Sequence, residues 1–458
     1  MSTSPRLHRV PPPGSPALRP RPLSRRDALR LGGLGAGASA LLAACGSPPS
    51  SPVTSGAVDL GFWTHDEGYQ TFFENGIPDA EAATDFRYSL DVTRAGAADL
   101  VTKLLAQAVA GRDTPDVIGI EIGQFPRLQR GDLAERLLYD WTDHVAALGD
   151  DLLQARRAPY TKDGKLYALD SDTPMVVYYL REDLFSQYGL PTDVGSWDEI
   201  AQVGAKAAAD HDVALGVLAS GSDLGQIVQG YEMLLRQRGG AFFDADEQLV
   251  LDSPEAVEVL QFAVDGLRSG FITTVNDFYG ASVQAGLKSG RIAGMWMASW
   301  YSAFGLKPNV PEQSGAWRLR ALPTWSGGGF ATAAAGGTGF AVGVDQPETQ
   351  AAADFVASTW ITPEGQVRRF TELTYLPTLR SVFDSPELEV PDEYFGGQQV
   401  IDVYRGIVDD VPDYYQSPDS SILTDVLSGH LISAYRGDET PAQAIKGAIE
   451  DFTNQAGR

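Results

Sequence analysis

The chain is 458 residues long and 43% hydrophobic, enough to close two or three packed cores. Acids outnumber bases, 60 Asp plus Glu against 35 Lys plus Arg, for a formal net charge of −25. Such a surface repels phosphate polyanions, which excludes nucleic acid as an expected partner but leaves a neutral ligand open.

Residues 1–44 run against that trend. They hold Arg6, Arg9, Arg19, Arg21, Arg25, Arg26 and Arg30 against a single acid, Asp27, and end in the 14-residue apolar run LGGLGAGASALLAA. Basic then apolar is the layout of an export signal, and the run is too short to span a bilayer. SRRDALR, Ser24–Arg30, resembles the twin-arginine export signal, whose pathway carries folded proteins. LLAAC, Leu41–Cys45, resembles the lipobox of bacterial lipoproteins, in which the Cys becomes the lipidated first residue. Cys45 is the only Cys, so no disulfide forms within the chain. The alternative, a free and inert Cys, leaves the order basic, apolar, small–small–Cys and Pro/Ser tether unexplained. The expectation is an exported lipoprotein, with a signal over 1–44 and a tether over 45–56. It is held on the outer face of the cytoplasmic membrane by the lipid on Cys45, since no later run approaches a spanning length.

AVDLGFW (57–63) reads as a first strand, FRYSLDV (86–92) as a second, and the stretch between them as a polar break. AADLVTKLLAQAVAGRD places Leu100, Lys103, Leu104 and Gln107 along one helical face, with Leu104, Leu105 and Val109 supplying an apolar stripe, and stops at Gly111. TPDVIGIEI (114–122) is a third strand, and strand–helix–strand argues a parallel α/β unit. MVVYYL (175–180) is apolar without alternation, a strand covered on both faces. SWDEIAQVGAKAAADH opens with Ser196 and Glu199 at capping-box spacing, and SPEAVEVLQFAVDGLRSG runs from a Pro in its first turn to Gly270. Strands return in RIAGMWMASW, WRLRALPTW and TGFAVGV, and the tail reads helical around 348–360, 364–374, 398–407, 420–435 and 441–456. So mixed an order predicts two α/β lobes joined by several crossings of the chain, with a cleft between them.

The order of TPDVIGI, GKLYALDSDTPMVVYYLREDLFSQYGLPTDVGSWDEI, DSPEAVEVLQFAVDGLRSG, SGRIAGMWMASW, GGTGFAVG and ITPEGQ resembles the bacterial extracellular solute-binding proteins of the maltose-binding type, over roughly 58–458. The resemblance implies an α/β, two-lobe periplasmic-binding-protein type II fold with discontinuous lobes. It places the first part of the N-lobe at 57–168 and of the C-lobe at 169–288. The N-lobe return and hinge crossing fall at 289–345 and the helical completion of the C-lobe at 346–458. It implies a monomer that catches a neutral sugar, an oligosaccharide above all, and delivers it to the permease of an ABC importer, with no cofactor or metal. Closure of two lobes about hinge strands would be its working step.

Ligands of open α/β sheets bind outside the carboxyl ends of the strands. A sugar offers C–H patches to an aromatic face and hydroxyls to donors and acceptors around it. In GRIAGMWMASWY, Trp296 reads as core, whereas Trp300 and Tyr301 fall at the strand end and are expected to reach the ligand. After the first strand, Trp63 fits core or cleft. His65 with its neighbouring acids invites a metal, but three consecutive residues rarely face one ion and no paired-His spacing occurs. His65 therefore reads as a ligand candidate or part of a solvated loop, while Asp66 and Glu67 suit sugar hydroxyls. Asp172, in the LDSDTP turn between lobes, is the preferred polar contact. Trp325 and Gly337, in a glycine-rich stretch, read as cleft wall or flexible loop. Tyr375, Phe395 and Gln398 are ligand candidates or ordinary helix connectors, FGGQ being similar to the tail region of family members that bind short oligosaccharides.

The rival reading is a secreted, lipid-anchored carbohydrate-active enzyme using paired carboxylates, for which Asp66, Glu67 and Asp172 would serve. The chain lacks the eight even strand–helix units of a barrel and any GxSxG motif, so no catalytic residue is assigned.

Overall fold

The computed structural model describes residues 51–457 apart from Asp113, Asp345 and Tyr414; Cys45 and the export signal lie outside the described residues. The first lobe opens with β1 (Gly56–Thr64), α1 (Glu67–Ala83), β2 (Phe86–Arg94), α2 (Ala97–Ala110) and β3 (Val117–Glu121). Here α1 replaces the expected polar break. Gly76 and Pro78 interrupt its helical pattern, yet Gly76 is needed, because a Cβ there would meet Thr359 at 2.9 Å. Gly111 ends α2 in the left-handed conformation, φ 61°, as its sequence predicts.

β4 (Leu169–Asp170) is followed by the second lobe: β5 (Val176–Arg181), α3 (Trp197–His211), β6 (Gly216–Ala219), α4 (Leu224–Arg238), α5 (Pro254–Ser269), β7 (Ile272–Val275), α6 (Ala281–Ser289), β8 (Gly294–Ala298) and β9 (Trp317–Arg320). Ser196 and Glu199 form the capping box on α3, and Ser253 caps α5 through the Ala256 amide. The chain then adds β10 (Thr338–Val342), α7 (Thr349–Val356) and α8 (Pro363–Leu373) to the first lobe, and α9 (Ser420–Arg436) and α10 (Pro441–Ala456) to the second.

The first sheet has the order β2-β1-β3-β10-β4, with β1 parallel to β2 and β3, and β10 antiparallel to both its neighbours. Its core is aromatic: Phe73 stacks on Trp360 at 4.8 Å and meets Phe340 at 4.7 Å. The second lobe holds the antiparallel sheet β8-β5-β9 and the parallel pair β6–β7, linked by an Ala214–Ile292 bridge.

Two expected lobe boundaries are corrected. Residues 289–320 belong to the second lobe, because β8 pairs with β5 from Gly294–Leu180 to Ala298–Val176, burying both faces of the strand. Residues 349–373 belong to the first, where Trp360 packs on α1 and its indole N–H donates to Asp170 O at 3.1 Å.

Three crossings join the lobes and are laced together. Thr173 donates from its hydroxyl to Pro377 O at 2.6 Å, the Val176 amide to Ala333 O at 2.8 Å, and the Ala335 amide to Pro174 O at 3.1 Å. Segments 171–175, 333–337 and 376–378 thus form the hinge region, immediately beside the carboxyl end of β3.

Candidate functional site

A cavity of about 640 Å³ opens between the lobes at that end of the first sheet. The first lobe supplies Glu121 to Gln124, where β3 stops and the chain turns into a short 3-10 helix at Phe125. The second supplies one face of α4: Gly225, Gln229, Glu232 and Arg236, spaced by three and four residues, lie toward the cavity. The opposite face carries Ile227, Tyr231, Leu234 and Leu235 into the core. Tyr279, Phe242, Phe243, Tyr415 and the first turns of α9 complete the wall, with Ala335 and Gly336 of the hinge beneath.

Charge in the cavity is held in place by neighbours. Arg236 pairs with Glu232 at 2.5 Å and donates to Ala334 O at 2.8 Å, which ties α4 to the second crossing. Burial pushes the Glu121 carboxyl up to about 7, with the Asp170 charge adding to it and the Gly123 amide, which donates to Oε2 at 2.8 Å, opposing it. Below the floor, Arg156 and Asp170 form a fully buried ion pair at 2.5 Å. Gly337 lies against that pair with φ 127°, where a Cβ would sit 2.9 Å from Asp170 Oδ1.

The expected residues fall into three groups. Asp66, Asp172, His65 and Tyr375 converge on Tyr69 at the first-lobe side of the hinge. The Tyr69 hydroxyl donates to Ser171 Oγ at 3.0 Å, and Ser171 donates to Asp172 at 2.7 Å. Tyr375 packs 5.4 Å from the Tyr69 ring and His65 5.8 Å. Burial pushes the Asp172 carboxyl up and the His65 imidazole down. Asp66 Oδ1 already accepts from the Gly68 amide at 2.6 Å, capping α1, and Glu67 pairs with Arg94 at 2.9 Å on the exposed rim.

Trp300 and Gly337 border the cavity from behind. The Trp300 indole donates to Ala335 O at 2.8 Å, and its half-buried ring lies 6.3 Å from Tyr279, inclined by 26°. Tyr279 is 38% exposed and lines the cavity itself.

The remaining expectations are corrected. Tyr301 is buried, its hydroxyl donating to Phe278 O at 2.8 Å. Trp325 is core, bonded to Gln237 Oε1 at 2.9 Å and packed on Trp197 and Phe262. Phe395 is buried against Tyr179. Gln398 accepts from the Leu319 amide at 3.0 Å and donates to Leu319 O at 2.8 Å, extending the edge of β9 as a strand would. Trp63 is 6% exposed, with the Lys103 ammonium 4.0 Å over its ring, so that face is taken.

Sequence reasoning missed Glu121, Tyr279, Phe243, Tyr415 and the polar face of α4. Only the last left a signal, in polar residues at helical spacing opposite an apolar stripe.

Two α/β lobes, three crossings and a polar cavity with aromatic walls define a hinged binding protein. The model of the bacterial extracellular solute-binding proteins matches residues 77–394, and the chain belongs to that family. Among curated relatives it is 26% identical over 404 residues to an arabinooligosaccharide-binding protein of Halalkalibacterium halodurans, covering 86% of this chain and 89% of that one. It is 24% identical over 427 residues to an arabinooligosaccharide-binding protein of Bacillus subtilis, covering 90% and 95%. The fold matches the crystal structure of a cyclic alpha-maltosyl-1,6-maltose binding protein from Arthrobacter globiformis, with a TM-score of 0.71 at 20% identity over 88% of this chain and 99% of that one. Membership in a family of binding proteins replaces the carbohydrate-active enzyme considered as the alternative.

Proposed function

We propose that the protein captures a neutral oligosaccharide in the interlobe cavity and passes it to the permease of an ABC importer. The observation that carries this reading is the make-up of the wall. Tyr279 stands at one side and Phe242, Phe243 and Tyr415 at another, with the amides of Gln124, Gln226, Gln229 and Gln416 between them. Flat faces for C–H patches and neutral donors and acceptors for hydroxyls are what a sugar requires. Glu121, Asp223, Glu232 and Asp425 against the one cation Arg236 favour a neutral ligand over an anionic one. The names of the two curated relatives support the same ligand class.

Affinity in such a protein comes from interactions made only when the lobes close, and the laced crossings are the place where they turn. The residues around Tyr69 lie at that hinge and reach the ligand only if closure brings it against them. Among the described residues no helix is long and apolar enough to cross a membrane, and we assign attachment to the lipid on Cys45, with the protein acting as a monomer.

Calorimetry of the 46–458 body against neutral mono- and oligosaccharides, with a uronic-acid oligomer as the anionic control, tests the reading. Saturable binding of a neutral sugar with weaker binding of the uronate is expected. Preference for the uronate, or no sugar binding, overturns it. Fatty-acid labelling that is lost in Cys45→Ser tests the anchor.

A further inference from the structure

The interlobe space continues past Phe243 and Tyr415. Beyond them lies a second cavity of about 540 Å³, and Ala241, Phe243 and Tyr415 line both. It too has walls from each lobe: Gln129, Gln154 and Lys162 from the first, Asp244 and Glu247 from the second. The partition is well supported. Phe243 and Tyr415 bridge as an antiparallel pair, Phe243 is buried against Phe452 at 5.6 Å, and the Tyr415 hydroxyl donates to Glu247 at 3.1 Å. Tyr415 is the more exposed member of the two.

Two cavities in series with an aromatic between them suit a linear ligand that repeats the same apolar face and hydroxyl edge along its length. A monosaccharide would fill only one. The second cavity has the same chemistry as the first, with amides, carboxylates and a tyrosine ring. Its one cation, Lys162, already donates to the Gln129 carbonyl.

We propose that the second cavity, lined by Gln154, Lys162, Asp244 and Glu247, holds the distal units of a linear neutral oligosaccharide whose other end fills the first, with Tyr415 the platform between them. The inference rests on the sugar reading above and adds that this cavity sets the preferred chain length.

The test is calorimetry with arabinooligosaccharides and maltooligosaccharides of two to six units, on the wild-type body and on Gln154→Trp. Gln154 is exposed and lines only the second cavity, so the indole fills that space from outside the first. In the wild type the longer members of the bound series should be at least about tenfold tighter than the disaccharide, equivalent to ~1.4 kcal/mol. Gln154→Trp should abolish that gain, and binding of the disaccharide reports that the variant is folded. Ala245→Trp, exposed on the opposite wall, repeats the test should Gln154→Trp fail to fold. Binding independent of length in the wild type, or an unchanged length profile in the folded variants, overturns the second cavity and leaves the sugar reading standing. Absence of binding by every member of both series overturns the sugar reading, and this inference with it.

Discussion

Arg130 of the first lobe reaches across the cleft to Asp419 of the second, Nη2 to Oδ1 at 3.2 Å, and donates also to Pro418 O at 2.9 Å. Its neighbour Gln129 lines the second cavity, while Ser420, next to Asp419, lines the first. The pair therefore stands beside the partition, and its length changes whenever the lobes rotate. With Arg130 57% exposed, such a contact contributes ~0–1 kcal/mol. Arg130→Ala should weaken ligand binding by at most about fivefold, through faster dissociation. Stopped-flow tryptophan fluorescence reads this directly; an unchanged dissociation rate would mean the pair contributes nothing to the bound state.

Glu121 is expected to give binding a pH dependence. Unfolded, the carboxyl ionises near 4.5; folded, burial raises it to about 7. The folded state thus holds the proton more tightly. The stability lent by the protonated group is complete below the lower value and is lost as pH rises through the upper one. If its O–H donates to the ligand, affinity should fall several-fold between about pH 6 and pH 8, while Glu121→Gln, which donates without titrating, stays flat. Parallel profiles in the two proteins would show that Glu121 is not in contact.

Trp296 and Trp300 should separate stability from binding. Trp296 is 1% exposed, bonded to Gly230 O at 3.2 Å and packed edge-on against Trp197 at 5.6 Å. Truncating it to Ala should cost ~3–5 kcal/mol and lower the melting temperature sharply. Trp300→Ala should cost less without ligand but loosen Tyr279 at the cavity wall, weakening sugar binding by about tenfold or more. Wild-type affinity in Trp300→Ala, with a melting temperature as low as that of Trp296→Ala, would make both core residues.

The buried pair under the floor makes the hinge sensitive to small changes. Asp170→Asn removes one of the two carboxylates that face the buried Arg156 guanidinium, the other being Asp172, and should cost ~1–3 kcal/mol in denaturant unfolding. Gly337→Ala should be nearly as damaging, since its φ of 127° and the adjacent Arg156 and Asp170 leave no room for a methyl group. A Gly337→Ala protein as stable as the wild type would show that the pair can shift aside.

The lobes were legible in the sequence because their strands and helices announce themselves by period and caps. Ser196, Ser253, Gly111 and Gly270 mark ends that local chemistry determines. Pairing is another matter. GMWMA is apolar on both faces and would suit either sheet, and only its register with β5 decides which. The site was less legible for the same reason. Tyr301 and Trp325 look like surface aromatics in a one-dimensional reading, yet each finds a buried partner for its polar atom far along the chain. Glu121 and Tyr415 gain their place in the cavity from packing between lobes, for which no local pattern exists.

The position of β10 has a consequence for the history of each molecule. This strand lies between β3 and β4 in the first sheet but starts only at Thr338, long after Glu121 ends β3 and after the whole run from β5 to β9 has been made. Until it arrives, β3 has an open edge and β4 has no neighbour in the sheet. A nascent chain short of that point therefore carries an unfinished sheet with unpaired backbone, prone to join another copy. Contacts so distant in sequence make folding slow, and the order of synthesis delays it further, so the first lobe to be made is not the first to be finished.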